Sequence, residues 1–250
     1  MPKLHALHRY PVKGFSPDVL AEVRVEPGHG LPYDRVWAIE NGPGAFDTEA
    51  PAHVSKKNFL MLAGQDRLAA LRTQFSEPDA HWSMTFPDGQ TRTLDLDVPA
   101  THTPLLDALA GWLGADARGA LRLVKLASGL TDIRDPYPSL INLASVRDLS
   151  ERVGTELDAV RFRGNILVDG LPPWAELDMV GKTLTVGEVR LKVQARIRRC
   201  RATGVNPASG DSDQDLTRAL FEAFGHMDCG VYLSVEQGGM LRPGLPLTDL

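Results

Sequence analysis

Apolar residues in this chain recur mostly at every second position, and that period fixes the kind of structure it can build. In "TLTVGEVRLKVQ", Leu184 and Val186 precede Gly187-Glu188, after which Val189, Leu191 and Val193 alternate with polar residues. Alternation of this kind gives a strand one buried and one wet face, and a glycine-bearing pair between two such runs closes them as a hairpin. "HWSMTFPDGQTRTLDL" reads the same way through Asp88-Gly89, residues tolerant of positive φ. "VLAEVRVE" reads as one strand with Val19, Ala21, Val23 and Val25 on a single face, and "RVWAIE" as another, stopped by the breaker run "NGPG".

Three segments carry helical signals instead. "THTPLLDALAGWLG" offers Thr103 as N-cap, Pro104 at the first helical position and Gly114 as a stop. "SVRDLSERVG" starts at Ser145 with Val146, Leu149 and Val153 on one stripe, and "SDQDLTRALFEAFG" is capped near Ser212 or Asp213, aligning Leu216, Leu220 and Phe224. The strands do not alternate regularly with these helices, which disfavours a doubly wound sheet. The expectation is an α+β, β-rich chain of small barrels or sandwiches. A turn-rich break, "ASGLTDIRDPYP" at 127–138, separates "LRLVKL" from a new apolar run, "SLINL". It sets a boundary between an N-terminal unit, 1–125, and a C-terminal unit, 126–250.

Bulk properties exclude some function classes. A formal net charge of -5 over 250 residues argues against nucleic acid as a partner, because counterion displacement from phosphates needs a basic surface. Two cysteines make no disulfide framework, and "MPKLHALHRYPVKG" lacks the apolar core of a signal peptide. No stretch approaches the roughly 18 apolar residues of a membrane span. A cytoplasmic protein without a membrane partner is expected. There is no phosphate loop, no strand-linked Gly-x-Gly-x-x-Gly and no Gly-x-Ser-x-Gly elbow, so nucleotide-dependent and serine-hydrolase chemistry have no support.

One segment runs against the acidic balance. In "RIRRCR", Arg196, Arg198, Arg199 and Arg201 crowd around Cys200. A free cysteine is most often a small buried hydrophobe. Fixed positive charge, however, favours the thiolate, the form that attacks electrophiles or binds metals. The arginines either reach solvent as a basic strand end or hold an anion, since burying them unpaired is costly. The following "TGVNPASGD" is a turn whose N–H groups could also face an anion. Thiol, guanidinium groups and turn suggest an anionic ligand beside a soft sulfur donor, without naming it. Elsewhere, Arg163 and Asn165 in "FRGNILVDG" project to the same face at a strand entry. Lys13 and the Asp34-Arg35 pair lie at strand ends, where a surface or rim pair is the ordinary reading. His226 and Cys229 have a His-x-x-Cys spacing but no second ligand pair, so Cys229 reads as structural.

Taken in order, "YPVKG", "GHGLPYDRVWAIE", "FRGNILVDG", "VGKTLTVGEVRLKVQ", "RCRATGVNPASG" and "GVYLSVEQGGMLRPG" resemble the MOSC family, the molybdenum-cofactor sulfurase C-terminal type. The resemblance spans nearly the whole chain and extends to the mitochondrial amidoxime-reducing component and its bacterial relatives. It implies a MOSC β-barrel preceded by a smaller N-terminal β-barrel-like domain. It also implies a molybdenum-pterin cofactor (Mo-molybdopterin), with Cys200 as metal ligand and catalytic residue. Lys13, Arg35, Arg163, Asn165 and Arg199 match cofactor-contacting positions. Three departures stand out: Gly14 where such relatives often have Ser, Pro136-Tyr137 in place of hydroxyl residues, and Asn206 in place of an acid.

The activity so implied is an oxidoreductase acting on small N-oxygenated substrates, with electrons from an external flavin or haem reductase. Two alternatives go with the same resemblance. One is a sulfur carrier with Cys200 as persulfide site, supplied by a separate desulfurase; the other is a non-catalytic cofactor-binding protein.

Overall fold

The computed structural model describes residues 1–42 and 44–249. Its elements in chain order are β1 (Lys3–Arg9), β2 (Asp18–Leu20), β3 (Val23–Val25), β4 (Trp37–Asn41), β5 (Arg72–Ser76), β6 (His81–Thr85) and β7 (Thr91–Asp95). Helix α1 (Thr103–Leu113), β8 (Leu121–Lys125), β9 (Ser139–Asn142), α2 (Leu143–Val153), β10 (Ile166–Asp169), β11 (Thr183–Val186) and β12 (Val189–Arg198) follow. The chain closes with α3 (Leu216–Phe224), β13 (Asp228–Gln237), β14 (Gly239–Leu241) and β15 (Leu247–Thr248). It is a β-rich α+β protein.

Eight strands form one sheet in the order β15-β11-β12-β13-β9-β10-β1-β2. The sheet curls back on itself. Lys3 bridges Pro246, and backbone bonds from Leu4 N to Leu245 O (2.8 Å) and Gly244 N to Leu4 O (2.7 Å) tie β1 to the segment entering β15. The period of two does what it should: along β12, Val189, Leu191, Val193 and Ile197 are buried while Arg190, Arg196 and Arg198 are exposed. The concave face holds Leu4, Leu7, Ile166, Val168, Leu191 and Leu233 in one core. A second core gathers Trp37, Ile39, Trp82, Met84 and the buried leucines of α1 between β4–β8 and the three-stranded sheet β5-β6-β7. Both expected hairpins form, β6–β7 across Asp88-Gly89 and β11–β12 across Gly187-Glu188.

Four local readings change. "VLAEVRVE" is two strands: β2 pairs with β1, and β3 pairs with β14. Val19 is 69% exposed, because β2 is the sheet's edge and nothing covers its outer face. Helix α1 is preceded by a 3-10 turn, Pro99–Thr101, that runs straight into it, so His102 rather than Thr103 takes the cap position. Helix α2 begins earlier, with the Asn142 carboxamide oxygen accepting from Ala144 N at 3.1 Å. Helix α3 begins later, capped by Asp215, because the side chains of Ser212 and Asp213 are taken by Asp66 and Arg161.

Candidate functional site

A cleft of about 420 Å³ opens where residues from the N-terminal half meet the strands and turns of the large sheet. Interfaces of this kind are favoured places for ligand pockets. Lys13, Arg35, Arg163, Asn165, Arg199 and Cys200 all line it. One residue, Arg199, separates Cys200 from β12, and the cysteine is partly exposed, with extended backbone (φ -125, ψ 173). Its carbonyl accepts from the Thr203 N–H (3.1 Å) and hydroxyl (3.0 Å), which pins the turn and leaves the side chain in the cleft wall.

The cleft lining also carries an ion cluster. The Asp132 carboxylate receives Lys13 Nζ and Lys56 Nζ, each at 2.7 Å, and Lys13 also donates to Leu130 O at 2.8 Å. Burial opposes ionisation of Asp132, but the two ammonium groups outweigh it and hold the carboxyl well below the usual range. Burial pushes the Lys13 pKa down, and Asp132 holds it part-way up. Lys56 is half-exposed; burial pulls its pKa down, but Asp132 outweighs it and holds it up.

Arg35 and Arg163 form a second cluster over one aromatic ring. Their guanidinium carbons lie 4.7 and 4.1 Å from the centre of Tyr10, an arrangement the ring quadrupole favours. Arg35 pairs with Asp34 and donates to Arg163 O at 2.9 Å, while Arg163 donates to Phe15 O at 2.9 Å. Both residues hold left-handed backbone, φ +55 and +51. Such strain in non-glycine residues is unusual and tends to gather at functional sites. Burial pushes the Arg163 pKa down to about 10, so it stays charged at neutral pH. The same burial pushes the Tyr10 hydroxyl up to about 12.

The four arginines around Cys200 part company. Arg196, Arg198 and Arg201 are exposed, and Arg196 reaches Leu177 O and Asp178. Arg199 turns inward, donating to Phe162 O at 2.9 Å and, from Nε, to Cys229 O at 2.7 Å. Asn165 is buried and braces the framework: its oxygen accepts from Ser139 Oγ (2.9 Å) and its Nδ2 donates to His8 O (3.1 Å). Most N–H groups of the "NPASG" turn are spent within the loop itself, that of Asn206 on Asp211 O at 2.8 Å. Asn206 Oδ1 takes Ala208 N, Asn206 O takes Gly210 N, and Asn206 Nδ2 donates to Asp213 at 2.8 Å. An acid at position 206 would face that carboxylate, which accounts for the amide there. Cys229 is buried in the core with α2 and α3, and burial pushes its thiol up to about 12.

Residues 1–113 match the MOSC N-terminal beta barrel domain, and residues 136–248 match the MOSC domain. The chain belongs to the MOSC family. A molybdenum cofactor sulfurase of Drosophila willistoni is 25% identical over 93% of this chain and 31% of that protein. One of Drosophila pseudoobscura pseudoobscura is 33% identical over 82% of this chain and 28% of that protein. The MOSC chain thus spans about a third of these relatives or less. The solved structure of the YuaD protein from Bacillus subtilis overlays with a TM-score of 0.47 at 12% identity, covering 99% of this chain and 94% of that one. Among the described residues, no helix is long and apolar enough to cross a membrane.

The cleft also contains residues that sequence reasoning missed. Lys56, Asp132, Arg161, Ser139 and Tyr232 line it with the six expected ones. No spacing rule joins Lys13, Lys56 and Asp132, since the two ion pairs span 119 and 76 residues. Tyr232 carried a weak signal: it faces across β13 in the segment that resembles the family.

Proposed function

We propose that the cleft binds a molybdenum-pterin cofactor and that the protein is an oxidoreductase of small molecules, with Cys200 as the protein's metal ligand. The observation that carries this reading is a partly exposed thiol in a cleft whose charged lining is Lys13, Lys56 and six arginines against Asp132 alone. Such a lining favours an anionic ligand, and guanidinium groups suit phosphate oxygens.

The residues present fit that group. Arg163 Nη2 is buried without a hydrogen-bond partner among the described residues, a donor waiting for an acceptor. Bound there, the cofactor would supply two-electron redox chemistry at its metal. The chain's own part is binding and placement. Lys13, Arg35 and Arg163 hold negative charge, Arg199 fixes the strand end that presents the thiol, and Asn165 keeps the cleft floor in register. Arg198 and Lys56, at the exposed side, draw a polar substrate toward Cys200. An external flavin or haem reductase serves as electron donor in this reading.

The test is elemental analysis of protein from a molybdenum-replete host. About one molybdenum per chain, lost in Cys200→Ser, is expected; metal-free protein, or metal content indifferent to that change, would defeat the reading.

A second reading draws on the sulfurase names of the relatives: Cys200 carries a persulfide received from a separate desulfurase. Incubation with a cysteine desulfurase and cysteine should then add the mass of one sulfur atom at Cys200. A third, cofactor binding without catalysis, is distinguished by bound metal that supports no turnover with reductant and N-oxygenated compounds.

A further inference from the structure

Two open strand edges border one groove. β2 is the outer strand of the large sheet, and β5 is the outer strand of the three-stranded sheet. A groove of about 320 Å³ lies against both, lined by Asp18 and Val19 of β2 and by Thr73, Gln74 and Phe75 of β5. It shares no lining residue with the cleft.

An antiparallel strand turns its N–H and C=O groups to alternate sides, residue by residue. His8 N donates to Asn165 O at 2.8 Å, so the main chains of Leu7 and Arg9 face β2 instead and bond their partners Leu20 and Asp18. Val19, between those partners, points its N–H and C=O away from β1, and neither has a partner among the described residues. On β5, Thr73 N donates to Ser16 Oγ at 3.3 Å, which places Thr73 and Phe75 on the outward phase. The N–H and C=O of Phe75 and the C=O of Thr73 have no partner among the described residues. The Phe75 ring packs inward on Tyr33 and Trp37, with centroids at 5.5 and 5.8 Å, leaving its main chain at the open edge.

The two edges are tied together at either end. Ser16 Oγ also donates to Leu71 O at 3.1 Å, so one hydroxyl already serves the β5 edge as a neighbouring strand would. At the other end Arg9 joins Asp18 and Glu77, each at 2.7 Å. Two carboxylates share that single buried guanidinium, so this end keeps a net negative charge. Lysine or proline often guards an open edge. β5 has neither, and its one charged residue, Arg72, is spent on Pro207 O and Ala208 O.

We propose that this groove binds an extended segment of a partner protein by strand addition, with a lysine or arginine of that segment at the Asp18–Glu77 end. The free main-chain groups of Val19, Thr73 and Phe75 supply the hydrogen bonds, whatever the sequence of the segment. The carboxylate pair supplies the preference for a basic side chain.

The test uses the full-length protein and a panel of acetylated, amidated hexapeptides that alternate valine and threonine, with one lysine moved through every position. Amide hydrogen exchange in the free protein should be fast at Val19 and Phe75, since no hydrogen bond protects either. At least one lysine register should slow both amides about tenfold or more at saturation. Methylating alternate nitrogens of that peptide should weaken it about tenfold in one phase and little in the other. Glutamate in place of the lysine should also weaken it. Val19→Pro removes one outward donor at an exposed edge position and should weaken binding about two- to tenfold, with a thermal melt checking the fold. Slow exchange at either amide in the free protein, no peptide that slows both, equal effects of the two methylation phases, or a glutamate peptide that binds as well would overturn the proposal. So would a concentration-dependent dimer abolished by Val19→Pro, because the groove would then hold a second copy of the chain. None of these readouts depends on molybdenum at Cys200.

Discussion

At the scale of single residues, the two thiols and one carboxylate decide most. Cys200 lies partly exposed in the cleft, whereas burial holds the Cys229 thiol at about 12, next to the Arg199 side chain that donates to its carbonyl. Because the thiolate is the reactive form, iodoacetamide at pH 8 should label Cys200 and spare Cys229 in the native protein, with peptide mass spectrometry as the readout. Labelling of both at similar rates would place Cys229 outside the core. Asp132 supports a prediction about stability. Its folded pKa lies below the ordinary value, so its contribution is complete above the unfolded pKa of about 3.9 and is lost as pH falls through the lower, folded value. Asp132→Asn should cost about 1–2 kcal/mol at pH 7, less than the ~3–5 of a fully buried broken pair, because its side chain is 45% exposed. The gap between the two proteins in urea titrations should shrink as the pH falls below about 4. A gap that widened on acidification would mean the carboxylate contributes nothing through the two lysines.

At the scale of elements, alternation made β12 and its hairpin legible, since side-chain direction in a strand follows from position alone. The turn after it was legible as a turn but not in what it binds: Asn206 closes it through its own side chain, and Arg72 clamps Pro207 O and Ala208 O from the other half of the molecule. Helix starts were the least legible, because a cap is chosen by which side chains remain free. Asp213 looks like a cap until Arg161 claims it. Gly14 shows how an element constrains a family position. Its φ is +91, and a Cβ there would stand 2.9 Å from Leu60 O. Gly14→Ser, the residue the family resemblance implies for this position, should lower stability by about 1–3 kcal/mol through left-handed strain and that contact. The urea midpoint measures it, and an unchanged midpoint would mean the loop shifts at no cost.

At the scale of the whole molecule, the turn-rich break at 127–138 is a connector, but strand pairing crosses it. β1 lies in the large sheet between β10 and β2, and β3 pairs with β14. Leu4, Leu7, Val23 and Val25 belong to the same core as Ile166, Leu191 and Leu233. Nothing in the local sequence announces this, because pairing partners about 160 residues apart leave no spacing signal. The consequence is quantitative. Burying four such aliphatic side chains contributes about 1.5–3 kcal/mol each, together comparable with the ~5–15 kcal/mol that holds a whole domain folded. A fragment of residues 126–250 would also expose the β10 edge, inviting intermolecular pairing. We therefore expect that fragment to be insoluble or to lack near-ultraviolet circular dichroism, while the same fragment fused to residues 1–26 through a flexible linker recovers fixed tertiary signals. The cleft would still be incomplete in the fusion, because Arg35 and Lys56 stay behind with the remainder of the N-terminal half. A folded, monomeric 126–250 fragment would show instead that the sheet closes without β1, and that the N-terminal strands serve only to bring Lys13 to the cleft.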